Sequence, residues 1–294
     1  MEVKFSIIIP TYNRAHLIGH AINSVLGQIY TNCEIIVVDD GSTDNTEEVI
    51  SKLGIPNLFY YKKKNGERGA ARNYGTKKAT GDYVTFLDSD DLLYSNHLSE
   101  AYKVVNEMNN PEVFRLGFEI KDSKGKTNAI YSNYKSPVNT ELIKGNILGC
   151  CGVFLRREVA LSNLFNEDRI LSACEDWELW LRVASKYPIH AINIVTASMI
   201  NHEGRSVLDD DYRKLIARFD AFLEYVLNDK GITDYYKGKI DVLKSSCYTY
   251  VALHTALTGK HKLVSIKYLG RGVAEYPGVI FSRRFLAVLK HIIL

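Results

Sequence analysis

Tyr83-Val84-Thr85-Phe86-Leu87-Asp88-Ser89-Asp90-Asp91 carries an apolar run directly into three carboxylates within four positions. The apolar residues drive the segment into a core, whereas Asp88, Asp90 and Asp91 repel one another unless a cation, a donor-rich ligand or water neutralises them. In an extended chain residues i and i+2 point the same way, so Asp88 and Asp90 can converge on one ligand. Hard oxygen ligands that leave positions open for phosphate oxygens suit Mg²⁺ or Mn²⁺. The stretch reads as a metal-diphosphate site at the carboxyl end of a strand. The competing reading is a solvated acidic turn that caps a helix beginning near Ser95.

Outward from this stretch, strand patterns at Phe5-Ile9, Glu34-Val38, Leu58-Tyr61 and Tyr83-Leu87 alternate with helical patterns near Ala15-Gln28, Asp44-Lys52 and Gly69-Ala79. Such alternation predicts βαβ units and a mostly parallel sheet flanked by helices, an α/β fold. Ile7-Ile8-Ile9 and Ile35-Ile36-Val37-Val38 are continuously apolar and β-branched, as strands covered on both faces are. Ligands of such sheets collect beyond the carboxyl ends of the strands. Three of those ends are polar here: Pro10-Thr11-Tyr12-Asn13, Asp39-Asp40-Gly41-Ser42 and Asp88-Ser89-Asp90. Further on come strands at Glu112-Lys121 and Asn128-Tyr131 joined at Lys124-Gly125, a helix from Thr140, strands near Gly152-Leu155 and Ala191-Ile200, and a helix over Asp176-Lys186. From about Asp209 the pattern is helical to the end.

The 294 residues are 46% hydrophobic and 24% charged with a net charge of +3, which gives no sign of a nucleic-acid binder. Five cysteines without metal-ligand spacing argue against a disulfide framework or a zinc site and suit a reducing cytoplasm. No run approaches the roughly 18 apolar residues of a spanning helix. Residues 211–294 hold 14 Lys and Arg against 7 Asp and Glu. The last segment, from Val279, joins a basic patch to a wide apolar face. It fits a helix lying on the inner face of an anionic membrane, and equally a helix packed on its own domain.

Taken in order, Ser6-Ile7-Ile8-Ile9-Pro10-Thr11-Tyr12-Asn13, Ile36-Val37-Val38-Asp39-Asp40-Gly41-Ser42-Thr43-Asp44, Arg68-Gly69-Ala70-Ala71-Arg72-Asn73-Tyr74-Gly75 and Phe86-Leu87-Asp88-Ser89-Asp90-Asp91 resemble the signatures of family 2 glycosyltransferases. The resemblance spans about the first 200 residues. It implies the GT-A fold over residues 1–205, followed by a helical extension over 206–294. It also implies that Pro10, Thr11 and Tyr12 line a nucleobase pocket, that Asp40, with Asp39 close behind, accepts a base or ribose donor, and that Arg68 faces the nucleotide. A carboxylate suits the uracil N3-H, and a guanidinium fork suits phosphate or a base carbonyl. The bland reading of Asp39 and Asp40 is that they cap the helix after Gly41. Arg72 reads as structural, pairing with nearby acids. In the Asp-x-Asp signature Asp90 becomes the metal ligand and Asp88 the partner of ribose or a metal-bound water. His202 falls where relatives place a histidine near metal or diphosphate.

A second acidic stretch, Ala173-Cys174-Glu175-Asp176-Trp177-Glu178-Leu179-Trp180, resembles the family's Glu-Asp motif, whose aspartate is the general base. That makes Asp176 the catalytic base, with Glu175 and Trp177 on the acceptor side and Trp180 in the core; first-turn acids also occur without function. The Gln-x-x-Arg-Trp motif of processive synthases is missing. The expectation is a divalent-metal-dependent, inverting transfer of one sugar from a nucleotide sugar, UDP-linked, to a glycan or lipid-linked acceptor. Two rivals stand beside it, a nucleotidyltransferase, whose glycine- and basic-rich loop is missing, and a silent nucleotide-sugar binding scaffold.

Overall fold

The structure, a computed structural model, describes residues 2–201 and 211–293. The chain forms two compact units. The first comprises residues 1–138, 148–169 and 187–205, and the second 139–147, 170–186 and 206–294. The division is not a single cut near residue 205, because two inner segments belong with the C-terminal helices.

The first unit is built on one nine-stranded mixed sheet. Its strands are β1 (Phe5–Thr11), β2 (Cys33–Asp39), β3 (Leu58–Lys62), β4 (Tyr83–Phe86), β5 (Leu92–Leu93), β6 (Val113–Asp122), β7 (Thr127–Tyr131), β8 (Val153–Arg156) and β9 (Ile189–Asn201). Its helices are α1 (Ile18–Leu26), α2 (Thr46–Ser51), α3 (Glu67–Lys78), α4 (His97–Glu107) and α5 (Arg157–Ser162). The order is β3-β2-β1-β4-β8-β6-β9-β5, with β7 on β6. The first four strands are parallel, as the βαβ alternation predicts. β8 runs antiparallel to both β4 and β6, and β6 returns to parallel pairing with β9.

Every residue of β1 is buried, which is why the Ile7-Ile8-Ile9 run shows no polar alternation. Pro10 is tolerated inside this central strand because β4 stops pairing at Ile8, so beyond that point no neighbour on that side needs its missing N–H. Helix α3 packs directly on β1. Gly75 permits the approach, since a Cβ there would lie 2.5 Å from Ile8 Cγ2. Below the sheet's amino ends, Glu34 accepts from Ser6 Oγ at 2.6 Å, from the Thr80 N–H at 2.6 Å and from Lys4 Nζ at 2.9 Å. That staple ties β1, β2 and the turn into β4.

The second unit holds α6 (Glu175–Ala184), α7 (Tyr212–Asn228), α8 (Lys230–Tyr235), α9 (Ile240–Leu257), α10 (Lys262–Glu275) and α11 (Arg283–Ile293). The helix expected from Thr140 is a single 3₁₀ segment, Asn139–Lys144, ended by Gly145 at φ +151°. No described helix is long and apolar enough to cross a membrane.

Candidate active site

The parallel register brings the polar strand ends of the first unit to one edge. Thr11 is level with Asp39 and Asp39 with Lys62, while Asp88 follows the end of β4. Pro10 and Thr11 are buried and Tyr12 is 48% exposed, so the ring that the motif assigns to a base offers a free face at the edge. Arg68 lies in the first turn of α3, which starts from the same edge.

The two adjacent aspartates after β2 have separate jobs. Asp39 Oδ1 accepts the Ser42 N–H at 2.7 Å and Oδ2 accepts Tyr60 OH at 2.6 Å, closing a turn in which Gly41 sits at φ +87°. Neither aspartate caps α2, whose N-cap is Asn45, preceded by Asp44, which accepts the Thr46 N–H at 3.1 Å. Asp40 pairs with Lys63 Nζ at 2.7 Å and accepts the Gly66 N–H at 2.9 Å. Gly66 caps α3, so this carboxylate sits at the amino end of a helix, where the dipole favours it. Lys63 was not singled out from sequence, although a base directly after a strand end at this edge is a usable signal.

The oxygens of Asp88, Asp90 and Asp91 lie within 4.8 Å of one another. An all-carboxylate set of that span fits a hard divalent cation. The three acids differ in their surroundings. Asp88 Oδ1 receives Arg72 Nη2 at 2.6 Å, and the Arg72 guanidinium is buried, 5.2 Å above the Phe165 ring. Asp91 is buried and its Oδ1 accepts the Ile200 N–H of β9 at 3.0 Å. The Arg-x-x-x-Arg-Asn stretch is therefore largely scaffolding, because Asn73 clamps Phe165 through both its N–H and its carbonyl. His202 lies outside the described residues.

In the second unit, Asp176 stands in the first turn of α6, half-buried, and its Oδ2 accepts Asn146 Nδ2 at 2.9 Å. Burial raises the Tyr250 hydroxyl pKa; Arg284 and Arg218 oppose that shift, whereas Cys174 and Asp176 add to it. Arg284 also lies over the Tyr250 ring, 5.7 Å from its centroid. Asn146, Arg218 and Arg284 carry no local sequence signal for this grouping.

Glu175 and Trp177, expected on the acceptor side, are turned into the packing of their own unit. Trp177 is 4% exposed, stacks on Phe222 at 4.6 Å and donates its indole N–H to Leu142 O at 2.8 Å. That ring has no face left for a sugar. Glu175 is buried and accepts the Ala173 N–H at 2.7 Å, bracing a turn in which Ala173 takes φ +77°, a strained value for a residue with a Cβ. Trp180 is fully buried, as its place on the helix predicts.

Compared with known proteins, residues 6–162 match the model of the family described as glycosyl transferase family 2. An uncharacterized glycosyltransferase of Rickettsia conorii is 37% identical over 195 residues, 63% of this chain and 32% of the relative; the chain thus spans about a third of that protein's length. The Escherichia coli protein WfgD, named as a UDP-Glc:alpha-D-GlcNAc-diphosphoundecaprenol beta-1,3-glucosyltransferase, is 31% identical over 225 residues, 76% of this chain and 87% of that one. In fold, the chain superposes on S. aureus TarS 1-349 in complex with UDP-GlcNAc with a TM-score of 0.63 at 20% identity, covering 96% and 92% of the two chains. The mannosyltransferase PcManGT of Pyrobaculum calidifontis, in complex with GDP-Man and Mn²⁺, gives 0.59 at 18% identity, covering 100% and 86%.

Proposed function

Because the chain belongs to glycosyl transferase family 2, we propose that it transfers a single sugar, with inversion, from a UDP-sugar to a hydroxyl of a lipid-linked or polysaccharide glycan. The reading rests on one observation above the others. Tyr12, Asp40 and the Asp88–Asp90 pair gather at one edge of the sheet, each just past the carboxyl end of a parallel strand. The E. coli relative is named for a UDP-sugar donor and a lipid-linked acceptor, which supports both substrate classes.

In this scheme Tyr12 stacks on the base and Asp40 accepts from it, exchanging part of its bonding to Lys63 and Gly66. Arg68 adds a planar donor fork toward phosphate. Asp90 would hold a divalent cation with Asp88 beside it, and that ion would offset the diphosphate charge that grows as the sugar bond breaks. Arg72 fixes the direction of the Asp88 carboxylate. Asp176 takes the proton from the acceptor hydroxyl; the oxygen forms its bond to the anomeric carbon from the side opposite the leaving group, and UDP departs with the electron pair of the broken bond. The side-chain amide of Asn146 aims the Asp176 carboxylate.

Thermal unfolding of the purified protein with a panel of nucleotides and nucleotide sugars, in Mn²⁺ and in EDTA, tests the donor side without an acceptor. Stabilisation by UDP and one UDP-sugar in Mn²⁺, lost in EDTA and in Asp90→Ala, is the expected result. No shift with any nucleotide would overturn the donor reading. Binding without turnover against any glycan would instead favour a silent binding protein.

A further inference from the structure

From residue 242 onward the chain carries eight Lys and Arg but one acid, Glu275. That acid is paired with Lys244 at 3.4 Å. The same segment exposes large apolar side chains. Phe281 is 85% exposed, Leu263 82% and Ile293 78%, and Leu286 and Ile266 are about half exposed.

The pattern is organised on α11. Val288 is its buried residue, with Phe285, Leu289 and Ile292 partly covered beside it, and the helix packs against α9 and α10. Its other side presents Arg283, Leu286, Lys290 and Ile293, all exposed, at spacings of three, four and three, which is one stripe of a helix. Lys262 Nζ donates to Ile292 O at 3.0 Å, setting the start of α10 beside the end of α11, so Leu263 and Ile293 share a corner. At the opposite end of α11 lies a cavity of about 720 Å³ lined by Lys144, Lys239, Arg283 and Arg284, with Tyr276 and Phe281 on its apolar wall. Its one acidic lining residue, Glu141, is paired with Lys144 at 2.9 Å.

We propose that this face docks on an anionic lipid bilayer. Phe281 and Leu286 enter the acyl boundary, Arg283 and Lys290 meet lipid phosphates, and the basic cavity takes one phosphate headgroup. Alternating basic and apolar residues with almost no acid suit a surface that is negative outside and apolar beneath. A second copy of the chain would set like charges against one another. The inference concerns where the protein sits and is independent of the chemistry proposed above.

Co-sedimentation with phosphatidylcholine vesicles, with and without phosphatidylglycerol, tests it. The full chain should bind the anionic vesicles, hardly bind the neutral ones, and release as salt is raised. Arg283→Glu/Lys290→Glu should weaken binding about tenfold or more, and Phe281→Ser/Leu286→Ser about tenfold. All four side chains are exposed, so the unfolding temperature and UDP binding of these variants should match the parent and certify their folding. Equal binding to both vesicles, no binding to either, or parent-like binding by both variants would overturn the proposal. A dimer in sedimentation equilibrium that Phe281→Ser abolishes, with no vesicle binding, would assign the face to a second copy instead.

Discussion

Replacing Arg72 with Met removes a buried cation while keeping most of its volume and a favourable contact with the Phe165 ring. The guanidinium donates to Asp88 at 2.6 Å, and two unit charges about 4 Å apart interact by about 4 kcal/mol at an effective dielectric of about 20. The Asp88 side chain is 22% exposed, so water screens part of this, and a loss of about 2–3 kcal/mol is expected. Asp88→Asn should cost a similar amount, because it takes a full negative charge away from the buried guanidinium. The double variant should lose much less than the two single losses added together, a coupling of about 2 kcal/mol. Urea unfolding at neutral pH, followed by far-ultraviolet circular dichroism, measures all four corners of the cycle. A coupling below about 0.5 kcal/mol would refute the claim that Arg72 is there to hold Asp88.

Asp176→Asn should leave UDP affinity within about twofold and lower kcat by about a hundredfold or more, the scale of a lost general base; turnover near the parent's would remove Asp176 from that role. The Glu34 staple gives a pH signature. Burial alone would raise its pKa, but donation from Ser6, Thr80 and Lys4 outweighs burial and holds it at about 2 against 4.5 in the unfolded chain. The stability it adds is therefore complete above pH 4.5 and is lost as pH falls toward 2. Glu34→Gln should cost about 3 kcal/mol at pH 7, with the gap to the parent closing on acidification; a gap independent of pH would contradict the assignment.

The polar edge of the sheet was legible because its signals are local. Ile7-Ile8-Ile9 and Ile35-Ile36-Val37-Val38 can only be doubly covered strands, and polar residues directly behind them must crowd one edge of a parallel sheet. Segments whose partners are remote were not. β5 has two residues and is a strand only because it pairs with β9, and Asp91 is fixed by Ile200 across 109 positions. Trp177 misled for a related reason. A tryptophan next to an acid looks like a sugar platform until Phe222, which covers it, is known. The Asp39–Asp40 pair was ambiguous in sequence, and hydrogen bonds alone separate the turn-closing member from the one paired with Lys63.

The stacking of Trp177 on Phe222 also bears on the order in which a working molecule is made. Synthesis delivers Asp176 well before Phe222 on α7 and Tyr236, whose hydroxyl holds Asn139 O at 2.7 Å. A nascent chain released at residue 205 would contain every motif quoted at the outset. It would still lack Phe222, which covers Trp177, leaving one face of that indole uncovered beside Asp176. On the proposed roles, a chain cut after residue 205 should lose transfer while the strand ends that carry Tyr12, Asp40 and Asp88 stay in place.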